Sequence, residues 1–137
     1  MPMKNLLKLL LLIPILALAQ ELPDEAWLCI SNGGSYTGLT TPYSSVESGS
    51  RSLGKGQKWI FNPAKGFKLL YSKEFSTESC RVRGDYYSCR KDSFDGSQVD
   101  IFLFEPISRR FAMSSSRILQ IINSTSANSW LGFCSKI

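Results

Sequence analysis

The residues able to do chemistry in this chain are its carboxylates, its cysteines, its aromatic rings and one Arg-Gly-Asp tripeptide; histidine is absent. Without imidazole there is no Ser-His-Asp or Cys-His triad, no His-ligated zinc or copper, and no near-neutral proton switch. A pair of carboxylates can still do glycosidase-type acid and base work. The acids open to such a role include Glu74, Glu78, Asp92, Asp95, Asp100 and Glu105. They stand in no motif and most fall at expected turns, so no catalytic residue is assigned and the chain reads as a non-enzyme. Residues 92–100 (DSFDGSQVD) superficially suggest a calcium loop. They lack the alternating ligand spacing and the terminal Glu of such a loop, so neither a metal site nor a cofactor is expected.

Four cysteines, Cys29, Cys80, Cys89 and Cys134, permit three pairings. Local pattern favours one of them. The segment 80–89 (CRVRGDYYSC) has Gly84-Asp85 at its centre, and Gly in the first central position suits a two-residue type II′ turn. That turn sets Arg83 against Tyr86, Val82 against Tyr87, Arg81 against Ser88 and Cys80 against Cys89. The last pair falls at a non-hydrogen-bonded position, where the Cα atoms come close enough for a disulfide. Cys29 is left for Cys134, which ties the first strand to the last. A bridge closing so long a loop stabilises by roughly 4–5 kcal/mol in the chain-entropy model. A four-thiolate metal site is the rival reading, and the spacings fit no zinc template.

The tripeptide Arg83-Gly84-Asp85 sits at the tip of that hairpin. A disulfide-constrained loop of this kind can bind integrins in animal extracellular proteins, but Gly-Asp is also what the turn requires, and the structural reading is the simpler. A second candidate binding loop is Ser48, Gly49, Ser50 and Arg51, inside the Ser/Gly-rich stretch 35–57. Trp27, Trp59, Trp130 and the eight phenylalanines either line a ligand cavity or form the core of a small β domain. The core is the commoner use of such residues.

The elements that must position these groups read as strands. Residues 26–31 form the first strand, and Asn32-Gly33-Gly34 is expected to break it. Residues 35–57 are expected to be irregular. Strands follow at 58–61 and 67–73, around a Pro-containing turn at 62–66, and then the cysteine hairpin. After a turn at 92–96, residues 98–104 make the strongest strand, with Val99, Ile101 and Leu103 alternating against Asp100, Phe102 and Phe104. Both faces of that strand are rich in apolar residues, so both can be covered. A turn at 105–109, a strand at 110–114, a short apolar run at 117–122 that reads as strand or helix with strand favoured, a turn at 123–128 and a last strand at 129–135 complete the chain. Residues 59–67 and 102–111 weakly repeat one another, each a strand, a Pro-containing turn and a strand opening with Phe. The expected fold is all-β: an antiparallel meander of about eight short strands in a small barrel or sandwich, held by two disulfides.

Residues 1–19 (MPMKNLLKLLLLIPILALA) read as a signal peptide, with Lys4 and Lys8 before a short apolar run and Ala17-Leu18-Ala19 at the cleavage site. Residues 20–137 then form one domain, too small for a second core. Loss of the two lysines lowers the net charge from +5 to +3, too little and too scattered for nucleic acid. Export to the periplasm or the exterior is expected, with no membrane insertion after cleavage.

Cys80 with Cys89, Phe102-Leu103-Phe104, Arg110-Phe111 and Gly132-Phe133-Cys134-Ser135 together resemble a group of small secreted four-cysteine bacterial proteins of unassigned function. The resemblance spans roughly residues 75–137. It implies an exported, stapled architecture and brings no active site. The loop Ser48-Gly49-Ser50-Arg51-Ser52-Leu53-Gly54 resembles the Ser/Gly-rich loop of periplasmic inhibitors of C-type lysozyme, which are also small disulfide-bonded β-barrels. The expected function is an exported, non-enzymatic protein that binds another protein, most concretely an inhibitor or immunity-type protein acting on a cell-envelope or toxic enzyme. A lipophilic carrier using a barrel interior and an envelope structural protein are the alternatives.

Overall fold

The computed structural model describes residues 21–40, 45–49, 55–75, 80–119 and 124–137. The signal-peptide reading of residues 1–19 lies outside these, as do Ser50, Arg51 and Glu78. The strands are β1 (Trp27–Thr40), β2 (Ser45–Gly49), β3 (Lys58–Asn62), β4 (Gly66–Leu69), β5 (Arg81–Arg83), β6 (Tyr86–Asp92), β7 (Gln98–Glu105), β8 (Arg110–Leu119) and β9 (Ser124–Lys136). They form one antiparallel sheet in the order β4-β3-β1-β9-β8-β7-β6-β5, with β2 beside the C-terminal half of β1. No helix occurs among the described residues.

Both disulfides form as the spacing predicts. Cys29 and Cys134 face each other across the β1–β9 ladder with Cα atoms 3.9 Å apart. Cys80 and Cys89 clasp the β5–β6 hairpin, whose register sets Arg83 opposite Tyr86, Val82 opposite Tyr87 and Arg81 opposite Ser88. Gly84 takes φ of 61° and Asp85 stays at negative φ, as a type II′ turn demands.

The long Ser/Gly segments depart from expectation. Asn32-Gly33-Gly34 does not end the first strand. The register slips between Ser31 and Gly33, a β-bulge that absorbs one residue while β1 runs on to Thr40. Before the bulge Trp27, Cys29 and Ser31 face inward; after it Gly34, Tyr36 and Gly38 do, because a one-residue slip swaps the faces. The stretch 35–57 is not irregular throughout, since residues 36–40 pair with β2. Strands β8 and β9 also run further than composition suggests, so that the expected turn at 123–128 is strand from Ser124 onward. Thirteen residue pairs join β1 to β9, and this ladder holds polar segments extended that carry weak strand propensity of their own. Ser35 and Ser129, with hydroxyls 2.6 Å apart, show the kind of cross-strand pair involved. At the other end β4 is shorter than expected, because Ser72 N–H donates to the Leu69 carbonyl and turns the chain out of the sheet.

Barrel and sandwich are resolved by the rings. Phe102 on β7 stacks on Phe61 of β3 at 5.2 Å and on Phe67 of β4 at 5.2 Å. It stacks also on Phe111 of the neighbouring β8 at 5.3 Å. Trp27 meets Phe104 at 4.9 Å, and Trp59 meets Phe111 at 5.5 Å. Strands β3 and β7 are separated in the sheet by β1, β9 and β8. One sheet must therefore curl until its ends share a core, which makes a half-barrel rather than two stacked sheets. Each aromatic pair adds about 0.5–1.5 kcal/mol beyond its buried area, so the stack fixes the curvature. The weak sequence repeat is two equivalent hairpins, in which Phe61 pairs with Phe67 and Phe104 with Phe111. The returning turn needs a left-handed residue in both: Gly66 has φ of 98° and Arg109 has φ of 58°.

Candidate functional site

With the rings on the inner face, the alternate residues of β6 to β9 face outward, and many of them are apolar. Leu103 pairs with Ala112, and Ala112 with Leu131, in one row across β7, β8 and β9. The next row runs Glu105, Arg110, Phe133 and Ile30. Leu131 is 62% exposed and Phe133 53%, with Tyr86, Leu103 and Ile30 partly exposed beside them. Leu103, Ala112, Leu131, Phe133 and Tyr86, with the β5–β6 hairpin tip, enclose a groove of about 700 Å³, and Ile30 lies beside it. Scattered exposed leucines need no explanation, whereas a contiguous apolar concavity on a small β domain does.

The rim is charged. Arg83 and Asp85 stand on the hairpin tip, and Glu105 and Arg110 close the far side with an ion pair at 3.6 Å. Ser108 donates its hydroxyl to Glu105 and accepts from Arg110 Nε at 3.1 Å, which fixes this corner. Arg81, Arg83 and Arg109 make no ion pair among the described residues, while Arg90 is held by Asp92 at 3.0 Å. The groove's own charges balance, Arg83 and Arg110 against Asp85 and Glu105, while Arg81 and Arg109 lie outside its lining. Such exposed pairs contribute little to stability and leave the groove's chemistry to its apolar floor and to Arg83 and Asp85 at the hairpin tip.

The structure brings Arg83, Gly84 and Asp85 to the groove, all three exposed at its edge. It does not bring Ser48 and Gly49 there. They lie in β2, opposite Thr37 and Tyr36, away from the groove's lining. The cysteines are structural, buried in the core as disulfides with no free thiol. The carboxylates are dispersed: Asp92 pairs with Arg90, Glu105 with Arg110, and Asp95 caps its own turn. The Asp95 carboxylate accepts from the Ser93 hydroxyl at 2.7 Å and from the Ser97 hydroxyl and N–H at 2.7 and 3.0 Å. These donors lower its pKa to about 2. The segment that suggested a calcium loop is a hydrogen-bonded turn, with Gly96 at φ of 71°. Asp100 and Glu74 share a smaller inner-face cavity.

Sequence reasoning missed Tyr86, Leu103, Leu131 and Phe133 as a set. The available signal was the double-sided apolar pattern of 98–104, repeated in Trp130-Leu131-Gly132-Phe133. Compared with known proteins, the chain matches no family model, no curated protein and no solved structure.

Proposed function

We propose that this is an exported, non-enzymatic binding protein that grips another protein across the outer groove, in an inhibitor or immunity-type role against a cell-envelope or toxic enzyme. One observation carries the reading: an apolar floor is exposed on the outer face of a sheet whose inner face is filled by Phe61, Phe102, Phe104 and Phe111. Tyr and Arg beside an apolar centre are the residue types that dominate protein–protein contacts. The groove's edge carries both signs, Arg83 and Arg110 against Asp85 and Glu105, which suits a partner with a mixed-charge rim around an apolar centre. Two disulfides suit an oxidising compartment and support export. No helix among the described residues is long and apolar enough to cross a membrane. The lipophilic-carrier reading has less support, because ring stacking occupies the centre of the interior.

Capture from envelope extract tests this, using the mature protein beside Phe133→Ser and Arg83→Glu. The expected result is an enzyme retained by the wild type, inhibited by it, and lost from both variants, with retention falling as salt rises. Stoichiometric uptake of a lipophilic dye with no retained enzyme would send the assignment back to the carrier.

A further inference from the structure

Strand β7 carries a second anomaly, on its inner face. The residues alternating inward there are Gln98, Asp100, Phe102 and Phe104, so a carboxylate stands where the core pattern calls for an apolar side chain. Asp100 is 9% exposed. Both of its oxygens accept from Gln98 Nε2, at 3.0 and 3.1 Å, and the same amide lies 3.3 Å from the Ser115 hydroxyl. No ion pair neutralises Asp100 among the described residues. Its register partner on β6 is Lys91, which is exposed and makes no ion pair with it. A carboxylate has about four acceptor sites, and a single amide nitrogen does not fill them. A buried carboxylate is costly unless donors satisfy it, and here most of its acceptor sites are left to whatever enters beside it.

The acceptors open into a cavity of about 340 Å³ at one end of the inner face. Small-ligand sites begin near this size, at ~300 Å³. Its apolar walls include Trp59, Phe67, Met113 and Trp130, the two tryptophans meeting edge to face at 5.5 Å. Its charges balance, Lys68 and Lys91 against Glu74 and Asp100. A fatty ligand would leave the Asp100 acceptors unsatisfied. A cation would compete with two lysines, and an anion would meet two carboxylates. A neutral molecule with hydroxyls on its edge and C–H bonds on its faces satisfies every wall at once.

We propose that the cavity around Asp100, Gln98 and Ser115, walled by Trp130 and Trp59, binds one neutral pyranose unit of a glycan. The hydroxyls of the ring donate to Asp100 and exchange hydrogen bonds with the Gln98 amide and Ser115, and a C–H face lies against the indole wall. This site is separate from the outer groove and does not depend on the protein-binding reading.

The test is an immobilised array of oligosaccharides ending in neutral hexoses or N-acetylhexosamines, probed with the disulfide-intact protein, followed by titration of the best binder with tryptophan emission as readout. The expected result is a saturable emission change, weakened at least tenfold in Asp100→Asn and in Gln98→Ala, and unchanged in the outer-groove variant Phe133→Ser. Gln98 is only half-buried, so its variant still reads the site if Asp100→Asn fails to fold. An array with no binder overturns the proposal, as does glycan binding that survives both inner-face variants. An Asp100-dependent emission change produced by tetramethylammonium instead would also overturn it, by assigning the cavity to a cation.

Discussion

The two disulfides close loops of very different length, and this difference can be measured. Cys29–Cys134 spans a sequence separation of 105, and Cys80–Cys89 spans 9. In the chain-entropy account a bridge over roughly 100 residues stabilises by about 4.7 kcal/mol, and one over about ten residues by a little under 3. The sulfurs are buried to the same degree in both, with one cysteine of each pair at 0% exposure and the other at 4%. Packing lost on substitution by Ala is therefore comparable and cancels in the comparison. Cys29 and Cys134 face each other across the β1–β9 ladder, Cys80 directly precedes β5, and the Cα separations are alike at 3.9 and 4.1 Å. The expected outcome is that Cys29→Ala/Cys134→Ala is less stable than Cys80→Ala/Cys89→Ala by roughly 2 kcal/mol, a gap of about 10 °C in Tm. Urea unfolding followed by tryptophan emission measures it, since Trp27 and Trp59 are buried in the core. If the hairpin variant proves equally or more destabilised, loop closure is not what the long bridge contributes. Its role would then be to hold the native β1–β9 ladder.

Two further perturbations test the backbone and the turns. A Cβ at Gly132 would collide with the Ile30 carbonyl and lie 2.7 Å from the Phe111 ring and 2.8 Å from Ser31 Cα, whereas one at Gly33 meets nothing within 4 Å. Gly132→Ala is expected to cost about 1–3 kcal/mol by overpacking, and Gly33→Ala less than about 0.5 in either direction; denaturant midpoints of the two variants decide this, and equal losses would refute the close approach. Asp95, with its folded pKa lowered to about 2 from the ordinary 3.8 of an aspartate, contributes stability that is fully present above about pH 4 and lost as pH falls toward 2. Asp24 and Glu25 are shifted the same way, by Asn62 and Lys65 and by Lys136. Urea midpoints should therefore fall between pH 4 and pH 2, and Asp95→Asn should flatten that fall; an unchanged profile in the variant would show that its serine donors do not persist in solution.

What the sequence made legible, and what it hid, follows from how far each feature depends on partners distant in the chain. The Cys80–Cys89 hairpin was readable to the residue, because turn chemistry and register are local and both primed turns that Gly84 admits give the same two-residue register. The Cys29–Cys134 bridge followed by elimination. The length of β1, β8 and β9 did not follow. Ser114, Ser116 and Ser129 have no strong preference for strand, and they become strand because neighbours on both sides pair with them. The curl of the sheet was equally hidden, since Phe102 reads as core in any β fold and only its contact with Phe61 and Phe67 shows which ends meet. Strand β7 condenses the functional question. A strand with one wet face needs only one apolar row. Here Phe102 and Phe104 already fill the core, yet Ile101 and Leu103 are apolar on the outside and Asp100 is polar on the inside. The outer departure builds the floor of the groove, and the inner one builds the cavity. Neither is needed to close the half-barrel, so the fold's own requirements leave both unexplained, and that makes these two faces of β7 the places where binding is to be sought.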